Sequence, residues 1–287
     1  MTNAETLTRA FAALLRESPF RIALERQDEL LQVMDGVAWT FDTAPGHANF
    51  TARVGEKSIE AAHSALLSLW AVAASVRVLM VLMNTAADLE LDEVTISPGG
   101  AGSQVVEFKH AAIALIQDPL ASWPRELPAP DPDAEANSED GLVNNLFLGA
   151  ASFVILHECA HIALKHRHDS NTRRDDELAA DDWAAGWILD HAQDHLEREF
   201  RILAICIGFL WIGLIDEVRG TSFTHPPAAR RLEEILEKFD DAPDDSIAFE
   251  VSSYALKAFF DPSTALPRPA HGREAFIDQL IAYTRLT

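Results

Sequence analysis

The stretch SFVILHECAHIALKHRHD, residues 152–169, sets two histidines four positions apart inside an apolar run. On a helix, side chains at i and i+4 are neighbours on one face, with Cβ atoms about 5–6 Å apart. His157 and His161 can therefore converge on one metal ion. Glu158 directly follows the first histidine, where it can take a proton from a water at the metal. The apolar lead-in predicts a central helix with a buried catalytic metal site. A structural metal site and an ordinary core helix are the alternatives.

An acidic segment downstream offers the third ligand that such a site needs. In DDELAADDWAAGWILD, residues 175–190, Glu177 and Asp181 also stand four positions apart, among small alanines that would let two helices approach closely. Glu177 is predicted to bind the metal through its carboxylate. Asp181 is predicted to accept the second ring N–H of His157 or His161, which fixes the tautomer of that histidine. The alternative is that these acids only begin a helix, where negative charge suits the helix dipole.

Three motifs together resemble a known class of enzymes. HECAH followed by ELAAD resembles the gluzincin metallopeptidases, in which a glutamate from a downstream segment completes HExxH. THPPAARRLEEI, residues 224–235, resembles a His-Pro-Pro segment of the HtpX and CAAX prenyl proteases, with His225 and Arg231 in register. The resemblance implies a zinc ion held by two histidines and one glutamate.

The resemblance has departures and further parallels. Glu177 follows His161 by only 16 positions, and this compact spacing is closer to the soluble ImmA/IrrE type, although Asp181 stands where those proteins usually have asparagine. Length, acidic composition and the position of HExxH are also similar to those of the phage-exclusion Lit peptidases, soluble bacterial proteases. The resemblance covers about residues 145–240.

These residues predict a mechanism for peptide hydrolysis. Glu158 would accept a proton from the attacking water and return it to the leaving amine. His225, presented by two prolines, is the candidate donor to the oxyanion. The alternative is that His-Pro-Pro simply starts a helix. Arg231 is predicted to tie its segment to an acid of the site. His166 and His168 are predicted to lie on a solvated helix end.

Composition limits the classes of protein to consider. The chain has 45 acidic and 23 basic residues, and a net charge of -22 would repel a phosphate backbone, so nucleic acid is not expected as a partner. Two cysteines imply no disulfide framework, and no signal peptide is visible at the N-terminus, so a cytoplasmic location is expected. The apolar runs 66–83 and 202–215 are interpreted as core helices rather than membrane spans, because Arg77 interrupts the first and the second is short.

The order of sequence patterns predicts a mainly α (α+β) fold, with a zincin-like helical core and a few N-terminal β-strands. Residues 1–140 are predicted as a mixed region and residues 141–287 as the helical metallopeptidase core, together possibly one continuous domain. Residues 118–140, rich in proline and acids, are interpreted as a surface loop or as a flap over a site. The predicted elements themselves follow. Helices are expected at 4–16, 55–84, 104–117, 142–166, 176–195, 197–218, 226–239, 247–260 and 273–285, and strands within 20–25, 37–43 and 49–54.

The sequence thus predicts a soluble zinc-dependent endopeptidase that acts on a protein substrate. Two other classes stay open: a catalytically silent metal-binding regulatory protein with the same fold, and a metal-free helical interaction protein. An intact Glu158 favours the enzyme, because a purely structural site needs no base beside its ligand. The identity of the substrate and the oligomeric state are not predicted.

Overall fold

A computed structural model describes residues 3–34, 40–94, 96, 100, 102–166, 173–220, 225–261, 266–267 and 271–285. The predicted fold class is confirmed, because most of the chain is helical and a small sheet lies near its N-terminus. Parts of the glycine-rich segment 95–104 and of the predicted strand 37–43, together with His168, lie outside the described residues.

The N-terminal segment is more helical than its sequence predicts. Helix α1 spans Asn3–Thr8 and α2 spans Ala12–Arg21, and a short helix α3 follows at Gln27–Met34. The prediction that the first helix ends at residue 16 is wrong, since α2 continues through a buried Pro19. The strand predicted within 20–25 is also wrong. Its apolar residues Ile22 and Ala23 are buried at a turn between helical segments, and so short a run does not distinguish the two patterns.

A three-stranded sheet follows, with strand order β1-β3-β2. Its strands are β1 (Thr40–Ala44), β2 (Phe50–Arg53) and β3 (Ser58–Ala62). Strand β3 pairs in parallel with β1 and antiparallel with β2, which leaves β2 at an edge. The long helix α4 begins only at His63 and ends at Asp88, so the prediction that it starts near residues 55–58 is wrong. The alternating burial of β3 gives the physical reason, because one face of the strand packs on the core.

Helix α4 packs against both α5 (Ser103–Gln117) and α6 (Glu139–Ala163). The loop between α5 and α6 has a buried Trp123, whose backbone N–H donates to Asn3 in α1 and whose ring contacts Trp70 in α4. No residue of this loop lines the cavity described below, so the surface-loop interpretation is supported and the flap is not. Arg77 pairs with Glu139 at 2.9 Å, as its position inside an apolar run required.

The remaining elements complete the fold around α6. They are β4 (Glu93–Val94), α7 (Arg173–Leu189), α8 (His195–Arg219), α9 (Ala228–Glu234), α10 (Ile247–Phe260), β5 (Leu266–Pro267) and α11 (Gly272–Thr284). The short strands β4 and β5 pair antiparallel. The helix predicted at 226–239 is shorter than expected, since α9 ends at Glu234 and a 3-10 turn follows at Leu236–Phe239.

Three arginines hold the C-terminal end of α7. Arg26 donates to the carbonyl of Trp187 at 3.4 Å, Arg198 to that of Leu189 at 2.9 Å, and Arg201 to that of Ile188 at 2.6 Å. Cations at a helix C-terminus satisfy its free carbonyls and complement its dipole. Helix α7, which carries both predicted acids of the site, is thereby fixed to α8 and to the N-terminal segment.

Two helices meet the length and hydropathy criteria for a membrane span, namely α4 and α6. In the structure, 72% of the apolar window of α4 and 83% of that of α6 are buried inside the protein. The core helices of soluble proteins meet the same criteria, so these values alone assign no membrane span.

Helices α6 and α8 pack closely at Gly208. A Cβ atom on Gly208 would lie 2.7 Å from Cδ1 of Phe153, which is fully buried one turn before His157. We expect Gly208→Ala to lower the free energy of unfolding by about 1–3 kcal/mol, because the added methyl group must displace a packed ring. Chemical denaturation measures this. Gly55→Ala is the matched control, since a Cβ there meets nothing within 4 Å and the substitution should be nearly neutral. An equal loss in both variants would contradict the close packing.

Candidate metal centre and active site

Helix α6 brings the first two candidate ligands into the interior. It begins where the Oγ of Ser138 accepts the backbone N–H of Gly141, and it is buried along most of its length. His157 and His161 lie near its C-terminal end and are 6% and 5% exposed. Their Nε2 atoms converge to 3.1 Å, as the four-residue spacing implies.

Glu177 of α7 completes a three-residue group. Its carboxylate oxygens lie 3.4 Å from Nε2 of His157 and 3.7 Å from Nε2 of His161. The three ligand atoms lie within 4.8 Å of one another, and all three residues are buried. Tetrahedral ligands about 2.0–2.1 Å from a zinc ion would be roughly 3.3 Å apart. The donor types and their separations therefore fit a zinc ion, and the group could bind a metal.

Asp181 and Arg231 fix the orientation of His157. Oδ1 of Asp181 lies 2.9 Å from Nδ1 of His157, so Asp181 accepts the proton of this nitrogen and Nε2 faces His161 and Glu177. The guanidinium of Arg231 grips the same carboxylate through Nε at 2.7 Å and Nη2 at 2.8 Å. Asp181 is fully buried and Arg231 is 4% exposed, so this ion pair lies in the interior.

The charges of this pair explain the pKa values around it. Burial alone would lower the pKa of His157, but the carboxylates of Asp181 and Glu177 overcome it and raise the pKa to about 9 in the metal-free protein. Burial would raise the pKa of Asp181, yet Arg231 and His157 hold it below its usual value. Hydrogen bonding to His157 likewise lowers the pKa of Glu177 against the effect of its burial. Both acids are therefore ionised, as a metal ligand and its orienting partner need to be.

The second ligand has an orienting partner that the sequence did not predict. Nδ1 of His161 lies 2.8 Å from Nδ1 of His166, whose Nε2 lies 3.8 Å from Asp176. The side chain of His166 is only 10% exposed, so the prediction that it lies on a solvated helix end is wrong. Helix α6 ends at Ala163, and the chain then turns back towards the site through Lys165, which has a positive φ of 57°.

Glu158 lies beside the ligands and contacts the sheet. Its Oε2 accepts the backbone N–H of Ala52 in β2 at 2.6 Å. Burial raises the pKa of Glu158, and the neighbouring negative charge of Glu177 adds to this against the opposing charge of His157. A raised pKa suits a group that must both accept and release a proton. No sequence pattern indicated the contact with Ala52, which lies 106 positions earlier in the chain.

His225 and Asp216 border the same region. Nε2 of His225 lies 3.3 Å from Oε1 of Glu177, and its side chain is 38% exposed. Burial lowers the pKa of His225. The helix that follows begins at Ala228, whose backbone N–H donates to Asp216 at 2.8 Å, so the two prolines precede the helix rather than start it.

A cavity of about 580 Å³ lies over these groups. Residues 49–52 of the sheet edge form one wall, and Trp211, Ile212 and Ile215 of α8 form an apolar wall. His157, Glu158, His161 and Glu177 line it as well. All predicted site residues except Asp181 reach the cavity, and Asp181 lies behind His157. A cavity of this size is typical of a binding or catalytic site.

A buried His-His-Glu group beside a second glutamate, under a cavity, is the arrangement of a hydrolytic enzyme with a candidate metal site. The chain belongs to the Peptidase U49 family, which residues 59–252 match, well over half of its 287 residues. It is a peptidase by family. The matched region includes every predicted site residue.

Part of the chain is also similar to an individual protein, at low sequence identity. The chain is 27% identical over 115 residues to the cell death peptidase of Escherichia coli (strain K12). That match spans 39% of this chain and 39% of the relative. No solved structure matches the chain.

Proposed function

We propose that this peptidase is a zinc-dependent endopeptidase that hydrolyses peptide bonds of a protein substrate. The convergence of His157, His161 and Glu177 next to Glu158 carries the proposal. Zinc, when bound, supplies a Lewis acid that lowers the pKa of a water and polarises a carbonyl. The location of the protein, predicted as cytoplasmic, is part of the proposal, as is a role similar to that of the Lit phage-exclusion peptidases.

Side chains of the protein carry out the remaining steps of the proposed reaction. Glu158 accepts the proton of the attacking water and delivers it to the leaving amine. Asp181 and Arg231 hold the His157 ring in one tautomer. His225, partly exposed beside Glu177, donates a hydrogen bond to the oxyanion that develops on the substrate.

The edge strand β2 supports an extended peptide as substrate. The backbone N–H of Ala62 donates to the carbonyl of Asn49 at 3.0 Å, so in this antiparallel pair residues 49, 51 and 53 point their backbone groups at β3. Phe50 and Ala52 therefore point theirs away from the sheet, and the N–H of Ala52 reaches Glu158. A substrate strand can add to this edge through the groups of Phe50.

Zinc content tests the ligand set directly. We expect purified wild-type protein to hold one zinc per chain and to lose activity when a chelator removes it. Loss of a hydrogen-bond partner of a ligand weakens metal binding roughly 10–100-fold. Glu177→Ala removes an anionic ligand itself, so it should weaken zinc binding by more than this. Elemental analysis after dialysis against a weak chelator measures this.

Asp182→Ala is the matched control for Glu177→Ala. Asp182 lies on the same helix, but its carboxylate is 67% exposed and binds Lys238 at 2.8 Å, away from the group. The control should keep its zinc. Unchanged zinc content in Glu177→Ala would mean that Glu177 is not the third ligand, and wild-type protein without zinc would contradict the proposal.

A further inference from the structure

The cavity is more positively charged than the rest of the chain. The whole sequence has 45 acidic against 23 basic residues, yet the described residues on the cavity walls include equal numbers of acidic and basic side chains. The charged side chains that line it are Glu158, Glu177, Asp216, Arg173, Arg219 and Arg231. A bound zinc ion would make the net charge around the cavity positive.

Within the described part of the chain, two of the three arginines form no ion pair with a carboxylate. Arg231 is bound to Asp181 through two nitrogens. Among the described residues, Arg173 and Arg219 form no ion pair, and Arg219 donates only to the carbonyl of Ile116, at 3.4 Å. The Nε of Arg173 is buried and has no hydrogen-bond partner among these residues. Other buried arginine Nε atoms also lack an acceptor among the described residues, but Arg173 lines the cavity, where a bound ligand can supply one.

Their positions place both arginines near the reacting groups. Arg173 is the first residue of α7, one turn before Glu177 on the same face. Arg219 ends α8, one turn after Ile215 of the apolar wall. Both side chains therefore border the space that a peptide bound at Glu158 would occupy.

We propose that Arg173 and Arg219 bind a carboxylate of the substrate, and so select a peptide with an acidic group close to the cleaved bond. This rests on the proposed function of the site. The planar guanidinium presents paired N–H donors that match a carboxylate, whereas a neutral amide satisfies only part of them. The carboxylate can belong to an Asp or Glu side chain or to the C-terminus of the substrate.

Peptide retention tests the proposal without any cleavage. Zinc-loaded Glu158→Gln protein is immobilised, and degenerate peptide libraries with free or amidated C-termini are passed over it. Sequencing the retained peptides should show Asp and Glu enriched about tenfold or more at one position, as expected for charged hydrogen bonds. Enrichment only in the library with free C-termini, independent of sequence, would assign the carboxylate to the chain end.

Variants separate recognition of charge from a structural role. Arg173→Met and Arg219→Gln should abolish the acidic preference, and Arg173→Lys should retain part of it, because it keeps the charge but not the fork. Arg230→Met, which removes an exposed arginine paired with Glu233, should leave the preference intact. Circular dichroism and zinc content of each variant exclude misfolding. Equal retention of both libraries without acidic preference, no retention at all, or equal loss for acidic and neutral peptides would overturn the proposal. Loss of cleavage or of zinc alone would concern the proposed function instead.

Discussion

Glu158→Gln should lower kcat/KM by roughly 10²–10⁴-fold while leaving zinc content and fold unchanged. The amide has the shape of the carboxylate and can still accept the N–H of Ala52, but it cannot take a proton from water. Because Glu158 lies outside the group that could bind the metal, the zinc ligands stay in place. Proteomics can compare the new protein termini in cells that produce the wild type with those in cells that produce the variant. These termini identify the substrate, whose cleavage rate can then be measured.

A glutamate on the loop between α5 and α6 supplies the control. Glu126 is exposed and does not line the cavity, so Glu126→Gln should cleave at the wild-type rate. If Glu158→Gln produces the same termini at the same rate, the proposed role of Glu158 is wrong. If the wild type itself produces no new termini while holding zinc, the chain is better described as a metal-binding regulatory protein.

Asp181→Asn should have the largest effect on stability. It leaves the buried guanidinium of Arg231 without its carboxylate, and breaking a buried ion pair from one side costs about 3–5 kcal/mol. It also replaces the anionic acceptor of the Nδ1 proton of His157 with a neutral amide oxygen, so zinc affinity should fall about 10–100-fold. Chemical denaturation of the metal-free protein and competitive zinc titration measure the two effects.

The difference in stability between the wild type and Asp181→Asn should depend on pH because of two pKa values. The folded pKa of Asp181 lies below its ordinary value of 3.8, so its contribution is present above that pH and is lost as the pH falls. The pKa of His157 is raised from 6.5 to about 9, so its contribution is complete below pH 6.5 and is lost as the pH rises through 9. Wild type and variant should therefore differ most between about pH 4 and 6.5, in the absence of zinc.

A double variant tests whether the two side chains act as a pair. Asp181→Asn combined with Arg231→Met removes both charges, and its loss of stability should be well below the sum of the single losses. Additive losses would mean that the two residues stabilise the fold independently. The same variants are also measured at pH 9 as an internal control, because the contribution of protonated His157 to the free energy of unfolding is much reduced at that pH.

The helical half of the fold was largely predictable from sequence. Helix α10 has the predicted bounds, and α5, α6, α8 and α11 lie within a few residues of theirs. Long apolar periodic runs determine such helices locally. Errors occur at β3 and α2, where a short segment adopts the structure that its tertiary neighbours favour, and α9 ends earlier than predicted. The division into regions 1–140 and 141–287 stays a prediction.

The candidate site was predictable where its members lie close in sequence or within a motif. His157, His161 and Glu177 converge because α6 and α7 are consecutive helices with regular spacing. The contact of Ala52 with Glu158, and the cavity position of Arg173, depend on how distant segments pack, which spacing does not encode. The roles of individual residues and the resemblances to the HtpX and ImmA/IrrE groups stay predictions.

The long sequence separations within the site have a consequence for synthesis of the protein. Glu158 meets Ala52 across 106 positions, and Asp181 meets Arg231 across 50. A chain still emerging from the ribosome cannot complete these contacts until residue 231 is free to fold. Unfinished or prematurely terminated chains would thus carry HExxH without the Asp181–Arg231 ion pair that orients His157.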